Sequence, residues 1–351
     1  MSDTPLEIDC WDVGQGDCTV IKLPSAKLLI IDVGPRGSPL VDWLNERRHE
    51  PIRIEAIVLT HNDADHAGAL PSIIMEHKSR IEGIWMLLDR EVNAPHFQKI
   101  FRSALEGEHG GFYRIRRVEN GQTLWEDETR QSRLHVIYPG FSQNIQATDP
   151  NETSGVIVLE SGENRLVAWP GDLELRTASA VLASKPPWIL IGPHHGGPSD
   201  YPTKAVRKRQ STDDLRNRMV ELRAAVEALR ASRAYISVGT KNRYHHPRPG
   251  YLRLLASQGA RVVCSQLTFC CERERVHYNA HVLQGSALLG LGPARTGTSC
   301  RGSMRLFLRD GKLIPDEFDL VHIERVSELL RPQCLRGAGW SRGNPLPNFT
   351  A

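Results

Sequence analysis

A chain of 351 residues has room for one large domain or two modest ones. With 40% hydrophobic residues, 24% charged residues and a net charge of +3, it reads as an ordinary soluble globular protein, and the charge alone selects neither a nucleic acid nor a membrane surface. No apolar run approaches the roughly 20 residues of a membrane helix, Met1–Pro5 lacks the basic-then-apolar pattern of a signal peptide, and seven cysteines are too few for a disulfide scaffold of this size. A cytoplasmic protein with no membrane partner is expected.

In chain order, Leu6–Val13 alternates as a strand, Gly14-Gln15-Gly16-Asp17 supplies turn chemistry, and strands are predicted at 18–23 and 27–32. Asp32 falls at a strand end, the edge where layered α/β folds build their sites. A helix over 40–48 precedes the strand 54–59, which runs into Thr60-His61-Asn62-Asp63-Ala64-Asp65-His66-Ala67-Gly68. Two histidines and two carboxylates within six residues repel one another unless a cation sits among them. A helix over 70–77, a strand over 81–88, a helix over 94–106 and a strand over 134–138 are predicted next. A hairpin, 156–160 with 165–169, then runs into Pro170-Gly171-Asp172. After a helix at 173–183, the strand 188–191 leads to Gly192-Pro193-His194-His195-Gly196-Gly197. The strand 234–239 leads to Thr240-Lys241-Asn242-Arg243-Tyr244-His245-His246-Pro247, and a helix at 251–257 and a strand at 260–264 follow. The pattern is a buried strand, a loop bearing His or Asp, then a helix. A single strand-end Asp or His is usually a cap or hydrogen-bond partner, but here the arrangement recurs five times.

Asp12–Asp17, His61–Gly68, Gly171-Asp172, His194–Gly197 and Ser237–Pro247, in this order, resemble the metallo-β-lactamase superfamily of hydrolases, and more narrowly the soluble hydrolase domain of ComEC-type DNA-uptake proteins. The resemblance covers roughly residues 6–264. It implies an α/β (α+β) fold, the αββα four-layer sandwich, with a one- or two-metal site at one edge. Two departures bear on the site. Asp63 replaces the second histidine of the broad superfamily's His-x-His-x-Asp-His, as in the ComEC-like branch, and the histidine expected before Gly171-Asp172 has no obvious counterpart, Asn151 and Ser154 standing near its place. The resemblance carries no role in DNA import, because no membrane channel is present.

By resemblance and ligand type the metal set is His61, Asp63, Asp65, His66, Asp172 and one of His194 and His195, with His195 preferred. Asp172 would bridge two divalent ions, and Asp65 would also hold the attacking water. Zn²⁺ suits the imidazoles, and Asp63 makes the site harder and brings in Mn²⁺. His246, with Lys241 and His245 nearby, is placed to contact the scissile phosphate or to protonate the leaving oxygen. Asp32 would orient a ligand histidine, and Asp17 and Gln15 would shape the rim without ligating. The expected activity is metal-dependent hydrolysis of phosphodiester bonds, foremost as a nuclease. The alternatives are a small-molecule phosphodiesterase or esterase, and a partner-activated effector.

Within the expected hydrolase domain, 1–263, lies a basic helical insertion, 203–234, with nine basic and four acidic residues, Arg207-Lys208-Arg209 among them. Leu215, Met219, Leu222, Val226 and Leu229 form a seam on helix 213–230 that packs on the domain, or docks a protein partner or a second copy, while its charged face suits a nucleic-acid backbone. An extension, 264–335, follows, with a strand at 304–308 and a helix at 320–330. In it Cys264, Cys270 (or Cys271), Cys300 and Cys334, or His322, are candidate ligands of an additional structural Zn²⁺, although their spacing matches no standard finger. A loose tail, 336–351, ends the chain.

Overall fold

The computed structural model describes residues 5–87, 95–129, 131–146, 150–197, 211–240, 242–271 and 297–315, with His322, Val326, Leu329 and Cys334 as single positions. The first sheet begins with β1 (Leu6–Cys10), β2 (Cys18–Lys22), β3 (Leu28–Val33), β4 (Ile54–Val58), β5 (Gly83–Met86) and β6 (Arg114–Arg117), each bonded to the next. The second sheet likewise runs in sequence order: β7 (Thr123–Glu126), β8 (Ser132–Tyr138), β9 (Val156–Ser161), β10 (Asn164–Trp169), β11 (Pro187–Ile191), β12 (Arg233–Ile236) and β13 (Arg261–Cys264). β14 (Met304–Arg309) then returns to the first sheet antiparallel to β1, with β15 (Lys312–Pro315) beyond it. Part of the region expected to be an extension therefore completes the sandwich. Strands β3 to β6 are parallel, as are β10 to β13.

Strand alternation builds the layers. On β3, Leu29 and Ile31 join Ala56, Val58, Ile157 and Val167 between the sheets, while Leu28 and Ile30 face outward. Helices cover both outer faces. α1 (Pro39–Glu46), α2 (Ala64–Ala67), α3 (Leu70–His77) and α4 (Pro95–His109) follow strands of the first sheet, and Leu40, Leu44, Leu70, Ile73 and Ile100 are buried against it. After the short α5 (Phe141–Gln146), α6 (Leu175–Leu182), α7 (Thr212–Leu229) and α8 (Pro249–Ser257) cover the second sheet. This is the αββα sandwich. Local chemistry sets the helix starts: Ser38 accepts from Leu40 N–H at 3.4 Å ahead of Pro39, and Ser211 and Asp214 form a reciprocal capping box at α7.

The apolar seam of α7 is used within the chain. Leu222, Val226 and Leu229 are buried in the same core as α6 and α8, and Val220 is the exposed large apolar residue of the helix. Three strands escaped prediction. β6 is three arginines and one isoleucine, and β7 and β15 are four-residue strands with little periodicity to read. Lys241, Arg207-Lys208-Arg209, the tail 336–351 and most of the helix expected at 320–330 lie outside the described residues.

Candidate metal centre

The parallel strands β3, β4, β10, β11 and β12 all finish on one edge of the sandwich, and each delivers a polar side chain there. Asp32, near the end of β3, accepts the Thr60 N–H at 2.7 Å and its hydroxyl at 2.6 Å, and lies 2.9 Å from His66 Nδ1. Asp32 accepts from Thr60 through both oxygens and faces Nδ1 of His66 as a further acceptor, which leaves Nε2 turned into the site. His195 is held the same way, with Nδ1 donating to the Ser237 carbonyl at 2.8 Å. The two Nε2 atoms consequently face each other at 3.2 Å. Asp172 Oδ1 stands 3.1 Å from the first and 3.4 Å from the second, and Asp65 Oδ2 is 3.3 Å from His195 Nε2.

The other oxygen of Asp172 faces a second histidine pair. Oδ2 is 3.6 Å from His61 Nε2 and 3.7 Å from His194 Nε2, with Asp63 Oδ2 3.8 Å from His61. Both His194 and His195 thus reach Asp172, from opposite sides. Their backbones make this geometry: each has φ of +50°, a left-handed conformation costly for non-glycine residues. Gly171, at φ +55°, lets the backbone just before Asp172 pack against Thr60, whose hydroxyl oxygen would stand 2.7 Å from any added Cβ.

Electrostatics follows from this packing. Burial disfavours the charged form of His66, yet Asp172 and Asp32 outweigh it and hold its pKa well above the ordinary value. His195 is likewise carried up to about 9 against burial, by Asp172, Asp17 and Asp65. Asp172 is driven down despite burial, by His195, His66, His61 and His194. Both ring nitrogens of His61, and Nδ1 of His194 and of His246, are buried with no hydrogen-bond partner. Converging Nε2 atoms, carboxylates held ionised and unpartnered imidazole nitrogens fit divalent cations, which would displace the proton from the His66–His195 contact.

Asp17, expected only at the rim, is buried and within ligand reach of His66, Asp172 and His195. Its shortest approaches, 3.9 Å to each Nδ1, are to the nitrogens turned away from Asp172, so it backs the histidines. The readable signal was its glycine-flanked turn: at Gly16 a Cβ would lie 2.1 Å from the Asp65 carbonyl, which ties that turn to the ligand loop. Asp63 stands at the mouth, half-exposed, with exposed His96 3.8 Å away.

His246 closes the site from the next strand end. Its ring lies edge-on to His194 at 5.6 Å between centroids. Asn242 anchors the loop, accepting from His246 N–H at 2.8 Å and donating to the His246 carbonyl at 2.9 Å. Beside it Tyr244 is exposed, 5.6 Å from the His246 ring, with the Arg243 guanidinium 4.9 Å over its face.

The metallo-beta-lactamase superfamily model matches residues 11–216. The chain belongs to the metallo-β-lactamase superfamily. Among its relatives, it is 26% identical over 282 residues to ComE operon protein 3 of Bacillus subtilis (strain 168), an alignment covering 73% of this chain and 31% of that protein. Similar solved structures include the metallo-beta-lactamase fold protein YhfI of Bacillus subtilis, at 9% identity and a TM-score of 0.43, covering 74% of this chain and 96% of that one. Another is a metallo-beta-lactamase of Staphylococcus aureus, at 13% identity and a TM-score of 0.33, covering 66% and 53%. The fold and the family match make this a superfamily hydrolase, and its His/Asp cluster is a candidate metal-binding site. Among the described residues, no helix is long and apolar enough to cross a membrane.

The cysteines expected to bind a structural ion gather elsewhere. Cys264, Cys271 and Cys300 are buried, and Cys334 packs on the cluster that holds Cys271 and Cys300. The Cys270 thiol instead donates to the Pro247 carbonyl at 3.0 Å.

Proposed function

We propose that this superfamily hydrolase cleaves phosphodiester bonds with two divalent ions, and that its substrate is a nucleic acid. The observation that carries the reading is Asp172, which turns one oxygen to His66 and His195 and the other to His61 and His194. A bridging carboxylate between two donor sets has this form. Asp65, His66 and His195 would hold one ion; His61, Asp63 and His194 would hold the other. His194 then supplies the imidazole that the third motif lacks. Bound there, two such ions would supply Lewis acidity and lower the pKa of a water. Zn²⁺ and Mn²⁺ both suit this mixed set.

The chain's own groups do the positioning. Asp32 and the Ser237 carbonyl fix the tautomers of His66 and His195. Burial and the neighbouring His195 and His194 hold His246 down to about 3. At neutral pH it is therefore a neutral imidazole, suited to hydrogen-bonding a phosphate oxygen rather than to protonating the leaving oxygen. Arg243 and Tyr244 offer a cation and a stacking face beside it, the pairing that single-stranded nucleic acids use. The likeness to ComE operon protein 3 supports the same direction. Lys241 and the basic segment 207–209 are proposed as phosphate contacts on sequence grounds alone.

The test is cleavage of single- and double-stranded DNA and RNA, and of a model aryl phosphodiester, with Zn²⁺ or Mn²⁺ and with EDTA. EDTA-sensitive cleavage of a polymer is expected. Turnover of the model diester with every polymer untouched selects a small-molecule phosphodiesterase, and no turnover of any phosphodiester sinks the reading.

A further inference from the structure

Away from the His/Asp edge, a second group of soft donors gathers around Cys300 and His322. Cys300 and His322 are both almost fully enclosed, and Cys300 Sγ lies 3.4 Å from His322 Nε2. Tetrahedral zinc, with Zn–S near 2.3 Å and Zn–N near 2.05 Å, sets sulfur and nitrogen about 3.6 Å apart, so this pair already has ligand spacing. The backbone brings further thiols alongside. Cys300 N–H donates to the Ser265 carbonyl at 2.8 Å and Arg301 N–H to the Cys264 carbonyl at 2.9 Å, which lays Cys264 next to Cys300. The turn closed by Cys271 N–H on the Thr268 carbonyl presents Cys271 to the same group, where Leu267, Val326 and Leu329 shield it and Cys334 packs against it.

We infer that a structural zinc ion is held by Cys300, His322 and thiols drawn from Cys264, Cys271 and Cys334. Ligand atoms converge in threes within 4.8 Å only at the His/Asp centre among the described residues, so binding would draw the outer thiols inward. The ion ties His322 to Cys300 and to the end of β13. It also steadies the loop of His246, because the residues preceding Cys271 hold that loop: Cys270 donates to the Pro247 carbonyl, and Phe269 meets the His245 ring edge-on at 5.5 Å.

Cobalt(II) substitution separates this ion from those of the cysteine-free His/Asp centre, because only thiolate ligands give a sulfur-to-cobalt charge-transfer band in the near ultraviolet. Full-length protein loaded with Co²⁺ is expected to show that band. The band should persist in Asp172→Asn and vanish in Cys300→Ser, with about one zinc equivalent lost from the zinc-loaded form of the latter. Should Cys300→Ser fail to fold, zinc K-edge absorption of the wild type decides: sulfur neighbours support the site. Neighbours that are nitrogen and oxygen only, a cobalt spectrum without the band, or a disulfide among these thiols would overturn it.

Discussion

The Nε2 atoms of His66 and His195 meet at 3.2 Å across 129 positions of sequence, with the Nδ1 of each tied to an acceptor. Without a metal that contact is tolerable only when a proton lies between the rings, which agrees with the raised pKa of both. The sign follows by linkage. A histidine whose folded pKa is raised stabilises the fold fully below its unfolded value near 6.5, and that contribution is lost as pH rises through the folded value, about 9 for His195. Metal-stripped protein should therefore lose stability between about pH 6.5 and 9, whereas metal-loaded protein should not. Thermal denaturation across that range, with EDTA and with Zn²⁺, measures it. Parallel curves would refute the shared-proton picture.

The two oxygens of Asp172 make a distinction between adjacent histidines. His195 shares Oδ1 with His66, and His194 shares Oδ2 with His61. His194→Ala should weaken the ion beside His61 and leave the other bound, His195→Ala should do the reverse, and Asp172→Ala should weaken both. Metal content after dialysis, with Mn²⁺ paramagnetic resonance to report paired or isolated ions, reads the difference. Equal loss from the two single variants would mean that one histidine merely supports the other.

How much of this was legible beforehand depends on the range of each interaction. Strand ends and their ligand loops were readable because apolar runs, glycines and His/Asp clusters are local signals, and the sandwich was implied by the family resemblance that those motifs carry. Asp17 was underestimated, since its closeness to His66 and His195 exists only once β2 pairs with β3 and the Gly16 turn folds onto Asp65. Nor could sequence assign separate faces of Asp172 to His194 and His195, because that depends on two successive left-handed backbones. The α7 seam was visible, but its partner was not; α6 and the second sheet occupy it. β14 lies along β1 nearly 300 residues away, a pairing that no periodicity announces.

Asp32 touches no expected substrate position, yet it receives Thr60 twice and faces His66 Nδ1. Asp32→Asn keeps the shape, but its amide can donate where Nδ1–H must donate, favouring the wrong tautomer. Supporting groups of this kind typically change metal affinity by about 10- to 100-fold. Competition with a chromophoric chelator should show a loss of that size for Asp32→Asn, with the secondary structure unchanged by circular dichroism. An affinity within about twofold of wild type would show that Thr60 and the backbone suffice to aim His66.

At the opposite edge of the second sheet, buried Glu160 is ringed by Arg165 at 3.1 Å and by Lys185 and Arg133 at 3.2 Å, with the His135 imidazole at 3.3 Å. Burial raises its pKa, but His135, Arg133 and Lys185 together hold it far below the carboxylate range. The half-exposed Arg133 contributes little through screened charge, whereas Arg165 is enclosed and would lose its counter-ion. Glu160→Gln should cost about 3 kcal/mol at neutral pH, the scale for breaking a buried pair. A depressed carboxylate stabilises the fold above its unfolded pKa near 4.5, and that stabilisation is lost as pH falls through the folded value. The gap between wild type and Glu160→Gln should thus stay constant from pH 7 to about 5 and narrow below pH 4.5. Urea denaturation midpoints at pH 7, 5 and 3.5 test this, and a gap that widens with acid would show that the cations, not the carboxylate, set the stability of this edge.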